Sequence, residues 1–238
     1  MMDIFQITSV GMLDGRQRLE AVSENTASSS LPGYRRHVVT GSSFSALIGQ
    51  PASMATAAAS RMADHVNLQP GAMKATGRPL DVAIDGSDGF FAVTDGRQTW
   101  LTRSGAFSLN SDGVLVGEGG NKVVGAQGDI RLADSDIEIG ADGRITHHGE
   151  TVGAMALFTP SDPASLLAAS GSLLESPSGT QTVSAPRVRG GMLEASNTDP
   201  TREMMSVVGF SRQFEALSRV TQSYDEILSQ TIEKLGEV

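Results

Sequence analysis

Few residues in this 238-residue chain could do chemistry. There are four histidines, His37, His65, His147 and His148, and only the adjacent pair invites a ligand reading. Neighbours on a strand point to opposite faces, and no carboxylate constellation accompanies this pair at metal-ligand spacing. The expectation is two exposed turn histidines. Asp134, Asp136 and Glu138 alternate as on one strand face, which reads as a solvated polar surface. Asp85-Gly-Ser-Asp-Gly89 begins like a calcium loop, but its twelfth position is Gly96, where such a loop needs a bidentate Glu. Gly117 and Gly119 fail as a dinucleotide fingerprint, because Lys122 stands where the third glycine belongs. There is no Gly-x-Ser-x-Gly elbow and no Walker lysine. The absence of cysteine removes thiol nucleophiles, disulfides and cysteine zinc sites together. The expectation is a non-enzymatic protein with no catalytic, cofactor-binding or metal-ligating residues.

Composition narrows the partners. A net charge of −9 argues against a nucleic-acid binder that neutralises phosphates with a basic surface. No apolar run approaches the ~18 residues of a membrane span, so direct membrane insertion is not expected. Met1-Met2-Asp3-Ile4 has no basic stretch followed by a hydrophobic one, and a cleaved secretory signal is not expected. The 27 glycines and 9 prolines point to many turns and short strands.

The elements follow from periodicity. Asp199-Pro200 supplies a helix cap and a first-turn proline. After it, Val207, Phe210, Phe214, Leu217, Thr221, Tyr224, Leu228, Thr231 and Leu235 recur in unbroken three-four spacing, the period of a seam that faces another helix. The N-terminal segment, about Asp3–Ser28, repeats this more weakly, with Phe5, Met12 and Leu19 seven apart. Pro32-Gly33 ends it. A long lone helix is marginal in water. The two ends are therefore expected to pair with each other and with other subunits through the residues of these seams.

Between them the period changes to two. Asp95-Gly96, Asp112-Gly113 and Asp142-Gly143 are hairpin-turn dipeptides flanked by alternating residues. Leu101, Arg103, Gly105, Phe107 and Leu109 are expected to share one face of a single strand. Ser42–Ser60 and Pro160–Pro186, rich in small residues, read as a linker and a loose surface excursion. The expected fold is α+β, mainly β: an antiparallel β domain in mid-chain flanked by N- and C-terminal helices that pair as a coiled-coil-like layer. The expected boundaries are an N-terminal helix over 1–34, an extended linker over 35–75, the β domain over 76–190 and a C-terminal helical segment over 191–238.

Three blocks carry a resemblance. Asn25-Thr-Ala-Ser-Ser-Ser-Leu-Pro-Gly-Tyr-Arg35 is similar to the N-terminal signature of the bacterial flagellar rod and hook family of axial proteins, matching at Asn25, Ala27, Pro32, Gly33, Tyr34 and Arg35 and departing at Thr26, Ser28 and Leu31. Thr76–Ile84, Gly89-Phe-Phe91 and Thr102-Arg103-Ser-Gly105-Ala-Phe107 resemble the start of that family's β domain. Gly191-Met-Leu-Glu-Ala-Ser-Asn197, with Leu193, Glu194, Ser196 and Asn197, is similar to its C-terminal signature, which continues through Glu203, Met204 and Arg212-Gln-Phe-Glu215. The resemblance implies a structural subunit of the basal-body rod, closest to the proximal rod members with the distal rod as the alternative. It further implies a periplasmic location, delivery through the flagellar type III export apparatus, and partners among other rod subunits and further copies of this chain. The rivals from other classes are a secreted adhesin or binding module and an envelope enzyme.

Overall fold

The computed structural model describes residues 4–40 and 63–236 of the chain. Two helices stand at the ends, Ile4–Ala27 and Pro200–Gly236. The first is braced on its surface by Asp14–Arg18 and Arg16–Glu20 pairs one turn apart. The second has 37 residues, about 55 Å of helix. But for Ala27, they fall in one compact unit together with residues 38–40, 63 and 64. The other unit comprises residues 27–37 and 65–199. The helices are thus shorter than the expected terminal segments: residues 28–34 and 191–199 belong to the β unit.

Among the described residues, the strands that build the sheets of that unit pair antiparallel. The largest sheet runs Leu167–Ala168, Leu173–Glu175, Thr99–Thr102, Phe91–Thr94, Lys122–Gly125, Leu115–Val116, Ser108–Leu109, with Gly128–Asp129 also paired to Lys122–Gly125. A three-stranded sheet joins Glu138–Ile139, Arg144–His147 and Glu150–Ala154. Two-stranded pairs unite Val82–Ile84 with Val188–Gly190, and Met73–Ala75 with Met192–Glu194. Chain segments more than a hundred residues apart therefore close the unit.

Alternation along Phe90–Val93 sets up two cores. Phe91 and Val93 join Val82, Ile84, Phe107, Leu115, Ile145, Met155 and Leu157 in the main one, where the Phe91 and Phe107 rings meet edge to face at 5.1 Å. Phe90 and Ala92 turn the other way onto Leu101, Leu166 and Leu174.

Three expectations need correction. Residues 100–109 are not one strand: Leu101 and Phe107 lie in different cores, because the chain kinks at Arg103–Gly105, where the Phe107 N–H bonds to the Gly105 carbonyl at 3.0 Å. Pro160–Pro186 is not a loose excursion. It contributes strands to two sheets, and Leu166, Leu173 and Leu174 are buried, since each apolar pair has a sheet face to cover. The described parts of 35–75 contain the strands His37–Thr40, Ala63–Val66 and Met73–Ala75, all hydrogen-bonded into sheets, where an extended linker was expected. The reading of Ser42–Ser60 lies outside the described residues.

The hairpin turns follow local chemistry. Gly96, Gly113 and Gly143 all take positive φ, which glycine adopts without a Cβ clash. At the first turn, one Asp95 carboxylate oxygen accepts the N–H groups of Arg97 and Gln98, each at 2.8 Å. These bonds, Gln98 first, hold the Asp95 carboxyl below its ordinary value. Its folded pKa is lower than its unfolded one, so its contribution to stability is present above the ordinary carboxylate range and is lost as pH falls through the depressed value. We expect carbon-detected NMR titration to place Asp95 below the usual aspartate midpoint. We also expect Asp95→Asn and wild-type protein to converge in stability once the pH is below Asp95's own, lower midpoint.

Candidate functional site

The expected seam residues are placed as follows. On the C-terminal helix, Val207, Phe210, Leu217 and Tyr224 are half-buried, whereas Phe214 is 47% exposed. Met12 and Leu19 on the N-terminal helix are half-buried. Phe5, Leu228 and Leu235 lie within the helices, and their side chains are outside the described residues. The C-terminal helix also presents Met204, Met205, Val208, Val220 and Ile227 to solvent. Among the described residues, six of the ten exposed large hydrophobics are on this one helix, a concentration that marks an interaction face.

Gly33, Arg35, Arg103 and Glu194, drawn from the three sequence blocks, meet in a second place, inside the β unit. Its hub is Glu194, on the strand Met192–Glu194. One carboxylate oxygen accepts Arg35 NH2 at 2.7 Å and the Gly71 N–H at 2.8 Å; the other lies 3.3 Å from Arg103 NH1. The Glu194 carbonyl accepts the Gly33 N–H at 2.7 Å. The side chains of Arg35, Arg103 and Glu194 are each at most 1% exposed. Arg103 also donates to the carbonyls of Gly86 and Ser87 and lies 5.1 Å from the Phe90 ring centroid. Burial pulls the Arg103 guanidinium below its ordinary pKa; the Glu194 charge opposes this and the Arg35 charge adds to it.

Around the hub, Gly33 takes φ +68, and a Cβ there would collide with the backbone of Arg103 and Ser104. Pro32, half-buried, precedes it, and Tyr34 is fully buried with its ring stacked on His37 at 5.6 Å. Asn197 ties the neighbouring chains: its side-chain oxygen accepts the Arg36 N–H at 2.7 Å, and its amide nitrogen donates to the carbonyls of Asn67 and Gln69. Ser196 accepts the Thr198 N–H, and Leu193 is half-buried. Asn25 and Glu203 are buried on their helices, Ala27 is the last residue of the first helix, and Met204 is 59% exposed.

The groups weighed for metal or loop chemistry have other partners. The carbonyls of Gly86 and Ser87, inside the would-be calcium loop, face a guanidinium, and Asp85 pairs with Arg189 at 2.9 Å. Asp134 lies in a bend and Asp136 just after it, neither on a strand; Asp134 accepts the Asp136 N–H at 2.9 Å, which holds the Asp134 carboxyl below its ordinary value. His147 and His148 do not point to opposite faces. His148, at φ 49, and Gly149, at φ 85, form the hairpin turn, so the two rings come within 4.2 Å. His147 Nε2 is 3.2 Å from an Asp134 oxygen. Among the described residues no three His, Asp or Glu side chains are grouped to hold a metal ion.

Arg103 was detectable as a cation on an otherwise apolar alternating face, a pattern that demands a buried anion. Periodicity could not say which one.

Comparison with known proteins matches stretches of the chain that include residues of both places. Residues 189–234 match the model of the flagellar basal body rod FlgEFG protein C-terminal region, and residues 83–147 match that of the flagellar hook protein FlgE/F/G D1 domain. The chain is 30% identical over 177 residues to the flagellar basal-body rod protein FlgF of Caulobacter vibrioides, covering 72% of each. The chain belongs to the flagellar basal-body rod family. It is 28% identical to FlgF of Mesorhizobium japonicum, over 98% of each chain. It is also 28% identical to FlgG of Bacillus subtilis, over 93% of this chain and 95% of that one. This rod-family chain is a structural protein of the flagellar basal body and not an enzyme, and it assembles with other rod and hook subunits.

Proposed function

We propose that this chain is a proximal-rod subunit, FlgF-like, that polymerises through its terminal helices into a helical tube transmitting torque from motor to hook. The helices pair as a coiled-coil-like inner layer through Phe5, Met12 and Leu19 on one and Val207, Phe210, Phe214, Leu217, Tyr224, Leu228 and Leu235 on the other. The β unit projects outward against neighbouring copies and distal-rod subunits. The subunit reaches the periplasm unfolded, through the flagellar type III export apparatus and without a cleaved signal. The observation that supports this reading best is the concentration of exposed apolar side chains on the C-terminal helix. A free monomer gains nothing from holding six such side chains in water, whereas a lattice of subunits removes them from it. A distal-rod, FlgG-like place is the second reading, favoured by the equally extensive similarity to an FlgG.

Replacing Phe214 and Leu217 together by Asp puts two charges into the seam, where desolvating each unpaired ion costs several kcal/mol. The double variant is expected to be exported and to keep the stability of its β unit, yet to leave cells without rods and non-motile. Normal swimming with intact basal bodies would sink the proposal.

A further inference from the structure

We infer that Glu194 is a folding latch, the group whose arrival allows the β unit to close. The inference stands on the buried triad and not on the proposed function. Arg35 and Arg103 are both cut off from water, and Glu194 is the carboxylate that both of them reach. Asp88 acts on Arg103 only as the weakest of the charges around it. Glu194 lies 159 residues from Arg35 and 91 from Arg103 along the chain. Before the strand Met192–Glu194 docks on Met73–Ala75, the two guanidinium groups have no shared anion. Burying them at that stage would place two like charges in an apolar interior.

Arg103 cannot be left in water while the rest closes. It follows directly on the central strand Thr99–Thr102, packs over Phe90 of the second core, and holds the Gly86 and Ser87 carbonyls. Sheet closure and Arg103 burial are one event. Chain-closure entropy rises only slowly with loop length, so sequence distance by itself is a modest barrier; the unpaired charge is the larger one. A chain whose residues 190–199 are missing or engaged elsewhere therefore keeps its β unit open, and the complete chain snaps it shut.

The test uses full-length protein refolded from urea, with Trp100, the single tryptophan, half-buried against the main core, as the reporter. If the latch engages in the transition state, Glu194→Gln slows refolding by about 100-fold and changes the unfolding rate by less than about threefold. A triple variant, Arg35→Met, Arg103→Met and Glu194→Leu, removes the charges together with their anion and is expected to refold within about tenfold of wild type. Should Glu194→Gln fail to fold altogether, folding of the triple variant still supports the latch and its failure overturns it. Wild-type refolding of Glu194→Gln with faster unfolding overturns it too, because Glu194 would then dock after the barrier. A triple variant as slow as Glu194→Gln has the same consequence, because lost packing and not unpaired charge would then be responsible.

Discussion

Adding one methyl group at Gly105 is expected to remove a large part of the stability of the β unit. A Cβ at this position would sit well inside contact distance of the Val82 carbonyl oxygen and 2.7 Å from the Val82 carbonyl carbon, with the Phe91 ring 3.3 Å away. None of these can give way cheaply. The Val82 N–H donates to the Gly105 carbonyl at 3.0 Å, and Asp81 bridges Ala106 across the same junction. Moving the strand Val82–Ile84 would withdraw Val82 and Ile84, at most 1% exposed, from the main core. Interiors packed to crystal density do not absorb such a shift. A loss above about 4 kcal/mol is expected for Gly105→Ala, against a whole-domain stability of about 5–15 kcal/mol. Urea unfolding followed by Trp100 fluorescence would measure it. Gly15→Ala is the matched control: its helical site has open space around the added methyl, and the change is expected to stabilise by up to about 1 kcal/mol. Equal stability of the two variants would show that the Gly105 contact does not constrain the fold.

A fragment spanning residues 28–199 is expected to fold, while one spanning 70–190 is expected not to. The shorter fragment holds the whole alternating, turn-rich region and most of both cores, so composition alone would favour it. It lacks Arg35, the Gly33-Tyr34 turn, Glu194 and Asn197. Arg103 would then have to be buried without its anion, a penalty of about 3–5 kcal/mol for a broken buried pair. Met73–Ala75 would lose its sheet partner, Met192–Glu194, and the carbonyls of Asn67 and Gln69 would have left with the truncated chain. Circular dichroism and Trp100 fluorescence of the two fragments in urea would decide. A cooperative transition in the 70–190 fragment matching that of 28–199 would mean that the signature residues are not part of the folding unit.

Both expectations turn on residues whose types stood in plain view along the chain while their roles did not. Local sequence determined what local physics controls. The Asp-Gly dipeptides set hairpin turns because a glycine at positive φ and an aspartate accepting nearby N–H groups act within a few residues. Asp199-Pro200 and the three-four spacing after it marked the C-terminal helix, since capping and amphipathic periodicity are also short-range. The absence of cysteine and the failure of each short catalytic or metal motif were likewise legible directly.

Tertiary structure alone decided the rest, because the deciding partners are far apart in sequence. Nothing near Arg103 announces that its anion is 91 residues away, or that the same carboxylate also holds Arg35. The alternation through residues 100–109 predicted one strand, but the close approach of Val82 at Gly105 bends the chain and sends Leu101 and Phe107 to different cores. Pro160–Pro186 looked loose by composition. Leu166 and Leu174 are buried because Phe90, Ala92 and Leu101 present a second apolar sheet face, which period-two patterning can indicate but cannot match to its cover. His147 and His148 touch because a hairpin turn falls on His148-Gly149, where strand geometry no longer separates neighbouring side chains. The sequence thus determined the terminal helices and the Asp-Gly turns. Which charge neutralises which, and which leucine covers which face, was settled only when burial made a wrong pairing cost several kcal/mol.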